Sequence, residues 1–245
     1  KMNPNLKLPF KRYQIGPNFR DEPTGPGRFR QLTQCDADIM GDSTINADAE
    51  CLAMVDEVLS KLGMKDAEIF VNNRKLLNSV IDSCEITSKR EVMKELDKMD
   101  KIGEDQVKIN LKKYADTNQV ITLFKLLEKD LAFFKDNAFD GANELDELQK
   151  KCRKYGVPIK ISPMMIRGFS YYTGNIFEIK YPGKPTIAAG GRYDKVVGKF
   201  LGREIPAVGI SFGLERVTEL ANIPIEPISR VLIISIGQDT DAIAL

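Results

Sequence analysis

Apolar residues between positions 49 and 62 recur every three or four residues. Leu52, Val55, Leu59 and Leu62 fall on one helical face and Gly63 follows as a C-terminal stop, so the spacing predicts a helix over Ala49–Leu62. Glu68–Val71 reads as a short strand, with a second helix from Arg74 to Ile81. From Glu85 to Tyr155 the apolar positions keep helical spacing, as in Leu123, Leu126, Leu127, Phe134, Leu145 and Leu148. Beyond it the texture changes: Asn175–Tyr181 reads as a strand before a Pro182-Gly183 turn, and Ala207–Phe212 as a buried strand running into a helix over Gly213–Ala221. A Pro-containing linker, Asn222–Pro227, precedes a last strand at Val231–Ile236, which reads as the opening of another domain.

Proline and charge sharpen these boundaries. All twelve prolines lie at positions 4–26 or 158–227, and the stretch from Gly27 to Val157 has none. Within it, Glu85–Tyr155 holds 15 basic and 15 acidic residues and only two glycines, which marks a charged helical insertion or subdomain. The expected layout is a globular first part over 1–84, the insertion over 85–155, a second part over 156–222, and a linker and domain start over 223–245.

What is missing restricts the chemistry. The 245 residues contain no histidine, which excludes Ser-His-Asp and Cys-His nucleophile systems, a histidine general base and His-ligated metal sites. The four cysteines, Cys35, Cys51, Cys84 and Cys152, form no CxxC pair, so reduced thiols in a cytoplasmic protein and no structural metal are expected. No apolar run reaches about 18 residues, and the opening KMNPNLKLPF carries no signal-peptide core. The net charge is only +1, yet residues 1–30 hold seven basic groups against two acidic ones, a local excess suited to a polyanion such as ATP or RNA.

Four clusters carry candidate chemistry. In Phe19-Arg20-Asp21-Glu22-Pro23-Thr24-Gly25-Pro26-Gly27-Arg28-Phe29-Arg30-Gln31, a hairpin would let Arg20 and Arg28 converge on one phosphate group, while Glu22 could accept from an exocyclic amine. Arg167-Gly168-Phe169-Ser170-Tyr171-Tyr172-Thr173-Gly174 sets an arginine beside two tyrosines; on an extended segment only one of these would face a given pocket. Ala188-Ala189-Gly190-Gly191-Arg192-Tyr193-Asp194 permits close backbone approach to a ligand but matches neither a Walker A loop nor a dinucleotide fingerprint. In Gly209-Ile210-Ser211-Phe212-Gly213-Leu214-Glu215-Arg216 a strand ends and a helix begins, placing Arg216 in the first turn.

In their order, the four clusters resemble the catalytic domain of the histidyl-tRNA synthetase family, class II aminoacyl-tRNA synthetases. FRDEPTGPGRFRQ is similar to motif 2, IRGFSYYTG and AAGGRYD to the two histidine motifs, and GISFGLERV to motif 3; RVLIISIG would open an anticodon-binding domain. The resemblance implies an α+β fold, an antiparallel sheet flanked by helices. It also implies ATP with Mg2+ as the substrate complex, L-histidine and tRNA(His) as partners, and a homodimer. By the same resemblance, Arg20 holds the α-phosphate and substrate carboxylate, and Arg167 steadies the charge of the transition state, as the catalytic pair. Glu22 reads adenine, Arg28 and Arg216 reach the distal phosphates, and Gln34 and Asp38 contact the histidine amino group and imidazole. Tyr171, Tyr172 and Tyr193 complete the histidine pocket beside Arg167.

The chain also departs from the family pattern. Leu32 stands where the family has an aromatic stacked on adenine, and Ser170 where it commonly has an acidic residue. Nothing resembles motif 1, which builds the class II dimer interface, so the chain is expected to be part of a longer protein. A non-catalytic relative, the regulatory subunit of ATP phosphoribosyltransferase, is the alternative, but it tends to lose the ATP-binding arginines that are present here. A generic RNA-binding module would explain neither the clusters nor their order.

Overall fold

A computed structural model describes residues 6–21, 29–167 and 171–223. The chain opens with two long strands, β1 (Phe10–Phe19) and β2 (Gln31–Met40), followed by helix α1 (Ile45–Lys61), strand β3 (Glu68–Asn73) and helix α2 (Arg74–Ser83). Six helices then run in succession: α3 (Lys89–Leu96), α4 (Met99–Ile102), α5 (Glu104–Leu111), α6 (Thr117–Leu127), α7 (Leu131–Asp136) and α8 (Ala142–Lys154). The remainder is strands β4 (Lys160–Ile161), β5 (Asn175–Lys180) and β6 (Ala188–Arg192), helix α9 (Asp194–Leu201), strand β7 (Ala207–Gly213) and helix α10 (Leu214–Leu220). The strand expected at Val231–Ile236 lies outside the described residues.

Among the described residues the strands form one sheet in the order β1-β2-β7-β6-β5-β3-β4, antiparallel throughout except for the short parallel pair β3 and β4. The two halves of the sequence thus interleave: β2 pairs with β7 from Gln34↔Gly213 to Met40↔Ala207, and β5 with β3 from Glu68↔Lys180 to Asn73↔Asn175. Pleat alternation gives the central strands two different faces. Val208, Ile210 and Phe212 of β7 and Ile39 of β2 enter the core, while Gln34, Asp36 and Asp38 alternate onto the opposite face.

The helices cover the apolar face. Leu52, Val55 and Leu59 of α1 are buried as the spacing predicts, and Leu62 is half-buried. Leu123, Leu127, Phe134, Leu145 and Leu148 are buried in the same continuous core, with half-buried Leu126 packed against it. The expected charged helical stretch folds as the six helices α3–α8, joined by short turns, and shares its core with the sheet. Gly141 begins α8 at φ 80°, where an added Cβ would lie 2.6 Å from the Asn73 Oδ1.

A buried polar network joins these layers. Arg192 of β6 is paired with Asp48 in the first turn of α1, and both are almost wholly buried. The Arg192 guanidinium also donates to the main-chain oxygens of Asp42 at 3.0 Å and Thr44 at 2.9 Å. Asn175 of β5 donates to Asp48 Oδ1 at 3.0 Å, and Asn73 of β3 donates to Asn175 at 2.9 Å and to Glu144 of α8 at 2.8 Å. Asn73 also caps α2, its Oδ1 accepting from the Lys75 N–H at 2.8 Å. This network explains why α1 starts at Ile45, four residues before the apolar periodicity begins. Asp48 breaks the apolar stripe, yet the partner that makes its burial tolerable is 144 residues away.

Arg192→Met should strand the Asp48 carboxylate in the core and lower stability by about 3–5 kcal/mol in urea unfolding. Replacing both residues by apolar ones of similar volume should cost clearly less. An equal loss in the single and double variants would show that the pair is not the source of the effect.

Candidate active site

The polar face of the central strands is unusually low. In register across β2, β7 and β6 stand Gln34–Gly213, Asp36–Ser211–Ala189 and Asp38–Gly209–Gly191. Small residues on β7 and β6 leave a floor on which a ligand can lie close to the backbone. At Gly209 an added Cβ would collide with the Asp38 carboxylate. The glycine pair of AAGGRYD is thus inside a strand, and only Gly191 belongs to this floor.

Above it is a cavity of about 350 Å³, and most of the residues singled out in the sequence meet there. Arg20 and Phe29 come from the neck of the β1–β2 hairpin, which is closed by the Arg20 N–H donating to Arg30 O at 2.7 Å. Leu32 and Gln34 come from β2, Arg167, Tyr171 and Tyr172 from the segment before β5, and Glu215 and Arg216 from the start of α10. Glu22, Arg28 and Ser170 lie outside the described residues. Both tyrosines line the cavity, with ring centroids 4.3 Å apart and an interplanar angle of 53°. The expectation that only one would face it fails because Tyr171 and Tyr172 do not lie in a strand, so period-2 alternation does not apply.

The side chains are already held. Gln34 Nε2 donates to Ser211 Oγ at 2.8 Å, and Asn18 Nδ2 donates to Gln34 Oε1. Arg167 is paired with Glu178 of β5 and donates to Thr186 Oγ1 at 3.1 Å. Burial opposes its charge, but the hydrogen bond and charge of Glu178 keep its pKa above the usual value. Arg216 donates to the Thr186 main-chain oxygen at 2.5 Å. Glu215 accepts from the Thr33 N–H at 2.5 Å; burial works to raise its carboxyl, and that hydrogen bond holds it below the usual range. Three arginines against one glutamate among the lining residues make the cavity suited to an anion.

Asp38 and Tyr193 do not line this cavity. They form a pair of their own, with the Tyr193 O–H donating to Asp38 Oδ1 and Arg12 Nε 3.3 Å from Asp38 Oδ2. Asp38 shares the face of Gln34 but lies four residues along β2, roughly 13 Å away. Burial, then the contact with Asp38, pushes the Tyr193 hydroxyl up, so it remains a donor. Asp38 also touches the rim of a second, apolar cavity of about 440 Å³ on the other side of the sheet, lined by Cys35, Ala37, Met54, Val58 and Phe212.

Phe29, Thr186, Ser211 and Glu215 are cavity residues given no role by their position in sequence. Only a strand register would have revealed Ser211, and only the loop between β5 and β6 reveals Thr186. Among the described residues no cluster of three His, Cys, Asp or Glu side chains could hold a metal ion. Likewise, none of the described helices is long and apolar enough to cross a membrane.

The family model for histidyl-tRNA synthetase matches residues 3–217. The chain belongs to the histidyl-tRNA synthetase family. Histidine–tRNA ligase 1 of Bacillus cereus is 41% identical over 233 residues, covering 87% of this chain and 54% of that protein. The solved histidyl-tRNA synthetase of Nostoc sp. PCC 7120 superposes with a TM-score of 0.80 at 31% identity, over 88% of this chain and 55% of that one. A structure from Bacillus halodurans, described as an ATP phosphoribosyltransferase regulatory subunit/histidyl-tRNA synthetase, shares the fold with a TM-score of 0.73 at 19% identity. The sheet and its helices are thus the class II catalytic fold, and the chain spans about half the length of the curated relatives it matches. The stretch GISFGLERV runs from β7 into the start of α10.

The thiols give a test of this packing. All four cysteines are free; Cys35 is half-buried and the others are buried. Burial pushes Cys152 up to about 12 and raises Cys51 and Cys84 as well; Cys35 is also raised, by burial and by the Asp36 charge, but it alone is partly open to reagent. Because the thiolate is the nucleophile, native protein at about pH 8 should be alkylated by iodoacetamide at Cys35 well before the other three, and at all four in denaturant. Early labelling of Cys51 or Cys152, read by peptide mass spectrometry, would contradict the packing of α1 and α8.

Proposed function

We propose that this chain is the catalytic portion of a histidine–tRNA ligase, acting on ATP, L-histidine and tRNA(His). The observation that supports it is the convergence of Arg20, Arg167 and Arg216, from three distant segments, on one cavity floored by small residues. In the first step a histidine carboxylate oxygen attacks the α-phosphorus of ATP; the bond to the β,γ-phosphates breaks and pyrophosphate leaves. In the second, the terminal ribose hydroxyl of tRNA attacks the adenylate carbonyl and AMP leaves. Both nucleophiles belong to the substrates, so a chain without histidine is equal to the task through positioning and positive charge.

Arg20 would hold the α-phosphate and substrate carboxylate, and Arg167 the charge developing at the α-phosphorus. Arg216, near the N-terminus of α10, would take the γ-phosphate, with Arg28 on the distal phosphates and Glu22 on the adenine amine. Magnesium would arrive with ATP, and Glu215 beside Arg216 fits its preference for a few carboxylates plus phosphate oxygens. Gln34, Tyr171 and Tyr172 would form the near part of the histidine pocket. Asp38, steadied by Tyr193, would accept from the imidazole N–H, a contact that apolar amino acids cannot make. The proposed setting is a cytoplasmic homodimer, with residues 85–155 as the helical insertion and 223–245 leading into an anticodon-binding domain.

The regulatory-subunit reading is disfavoured by the same arginines, which an effector-binding relative does not need. Histidine-dependent exchange of labelled pyrophosphate into ATP decides between the two: a ligase catalyses it and a regulatory subunit does not.

Arg167→Ala should lower the exchange rate by about 3–4 kcal/mol, on the order of hundreds-fold, with histidine affinity largely kept. Near-normal turnover would remove Arg167 from this role. Arg216→Ala should weaken ATP binding, measured by calorimetric titration, clearly more than AMP binding. Equal weakening would place Arg216 away from the distal phosphates.

A further inference from the structure

Thr186 is the residue that two of the cavity's arginines have in common. It closes the loop between β5 and β6, and the loop is pinned beside it on both sides. The Ile187 N–H donates to Ile179 O at 2.9 Å, and the Gly213 N–H donates to Ile187 O at 3.1 Å. The Thr186 main-chain oxygen accepts from Arg216 Nη1 at 2.5 Å. Its hydroxyl accepts from Arg167 Nη2 at 3.1 Å and donates to Glu178, to which Arg167 is also paired.

The direction of these bonds follows from Glu178. That carboxylate is only 1% exposed and sits between Arg167 and Lys180, so it is an acceptor. The Thr186 O–H must therefore point at Glu178, which turns an oxygen lone pair toward Arg167. The unit also has a platform, because Glu178 stands in register with Ala189 of β6 on the sheet face that floors the cavity. Two like-charged guanidinium groups from separate segments are thereby brought to one residue, with the Glu178 charge offsetting their repulsion.

We infer that Thr186, backed by Glu178, is a positioning residue that sets Arg167 against Arg216. The arginine assigned to the charge developing at the α-phosphorus and the one assigned to the γ-phosphate then keep a fixed spacing before ATP binds. This rests on the ligase reading of the same cavity. It divides the work of one residue: the hydroxyl acts on Arg167 and the chemical step, the main-chain oxygen on Arg216 and nucleotide binding.

That division makes a kinetic test possible on the product of the whole gene. Thr186→Val keeps the volume and the main-chain oxygen but removes the hydroxyl. In histidine-dependent pyrophosphate exchange it should lower kcat by about tenfold or more, since small misplacements of a catalytic group are costly, while the KM for ATP stays near the wild-type value. Thr186→Ser restores the hydroxyl and should recover most of kcat. If Thr186→Val melts well below the wild type, Glu178→Gln, which keeps shape and an acceptor, should show the same kcat-selective loss. An unchanged kcat in Thr186→Val, a KM for ATP that rises as much as kcat falls, or a serine variant no better than valine would overturn the inference. A wild-type protein without exchange activity would instead overturn the ligase reading.

Discussion

The ion pair between Arg192 and Asp48 is the constraint on which the arrangement of this molecule depends. It takes two charges out of water, at a desolvation cost that only full hydrogen bonding can offset. That demand is met by the main-chain oxygens of Asp42 and Thr44 and by Asn175, so the pair can form only when β6, β5 and the start of α1 are all in place. Asn73 extends the requirement to β3, α2 and α8. A core of Leu, Ile and Val tolerates many packings, whereas a buried charge network tolerates few. Here it registers the helical layer on one side of the sheet, and so steadies the strands whose other side floors the cavity.

The same sheet separates two kinds of work by alternation. Along β7, Val208, Ile210 and Phe212 pack into the core while Ser211 and Gly213, on the opposite face, line the cavity. Stability is thus drawn from one face and access from the other. The arginines that reach over this floor come from a hairpin neck, a loop and a helix start, none of which is built into the sheet. Two of them are held by acceptors on or next to the sheet, with Glu178 on β5 and Thr186 just before β6 doing this for Arg167 and Arg216. Positive charge is concentrated without being left to find its own geometry.

The sequence made the elements with regular apolar spacing legible. Leu52, Val55 and Leu59 announced α1, and the Glu85–Tyr155 stretch was visibly helical, because a 3.6-residue period survives in any window long enough to show it. Much of the candidate site was legible too, as four clusters in a familiar order. The periodicity could not show the early start of α1 at Ile45, because Asp48 is explained only by Arg192. Nor could it show that Tyr171 and Tyr172 share a cavity, because that depends on the two tyrosines lying outside a strand.

By itself, then, the sequence determined which chemistry is open to this protein: no histidine, arginines at the four motif clusters, and family membership carried by their order. Those are properties of residue identity and spacing, and they need no coordinates. Which residues meet was decided by the tertiary structure alone. Gln34 and Ser211 are 177 positions apart and bonded, Asp38 and Tyr193 pair beside the cavity rather than within it, and Thr186 joins two arginines that flank it in sequence at long range. Strand order and register set these contacts, and both are set by the burial of side chains and charges that are remote in the chain.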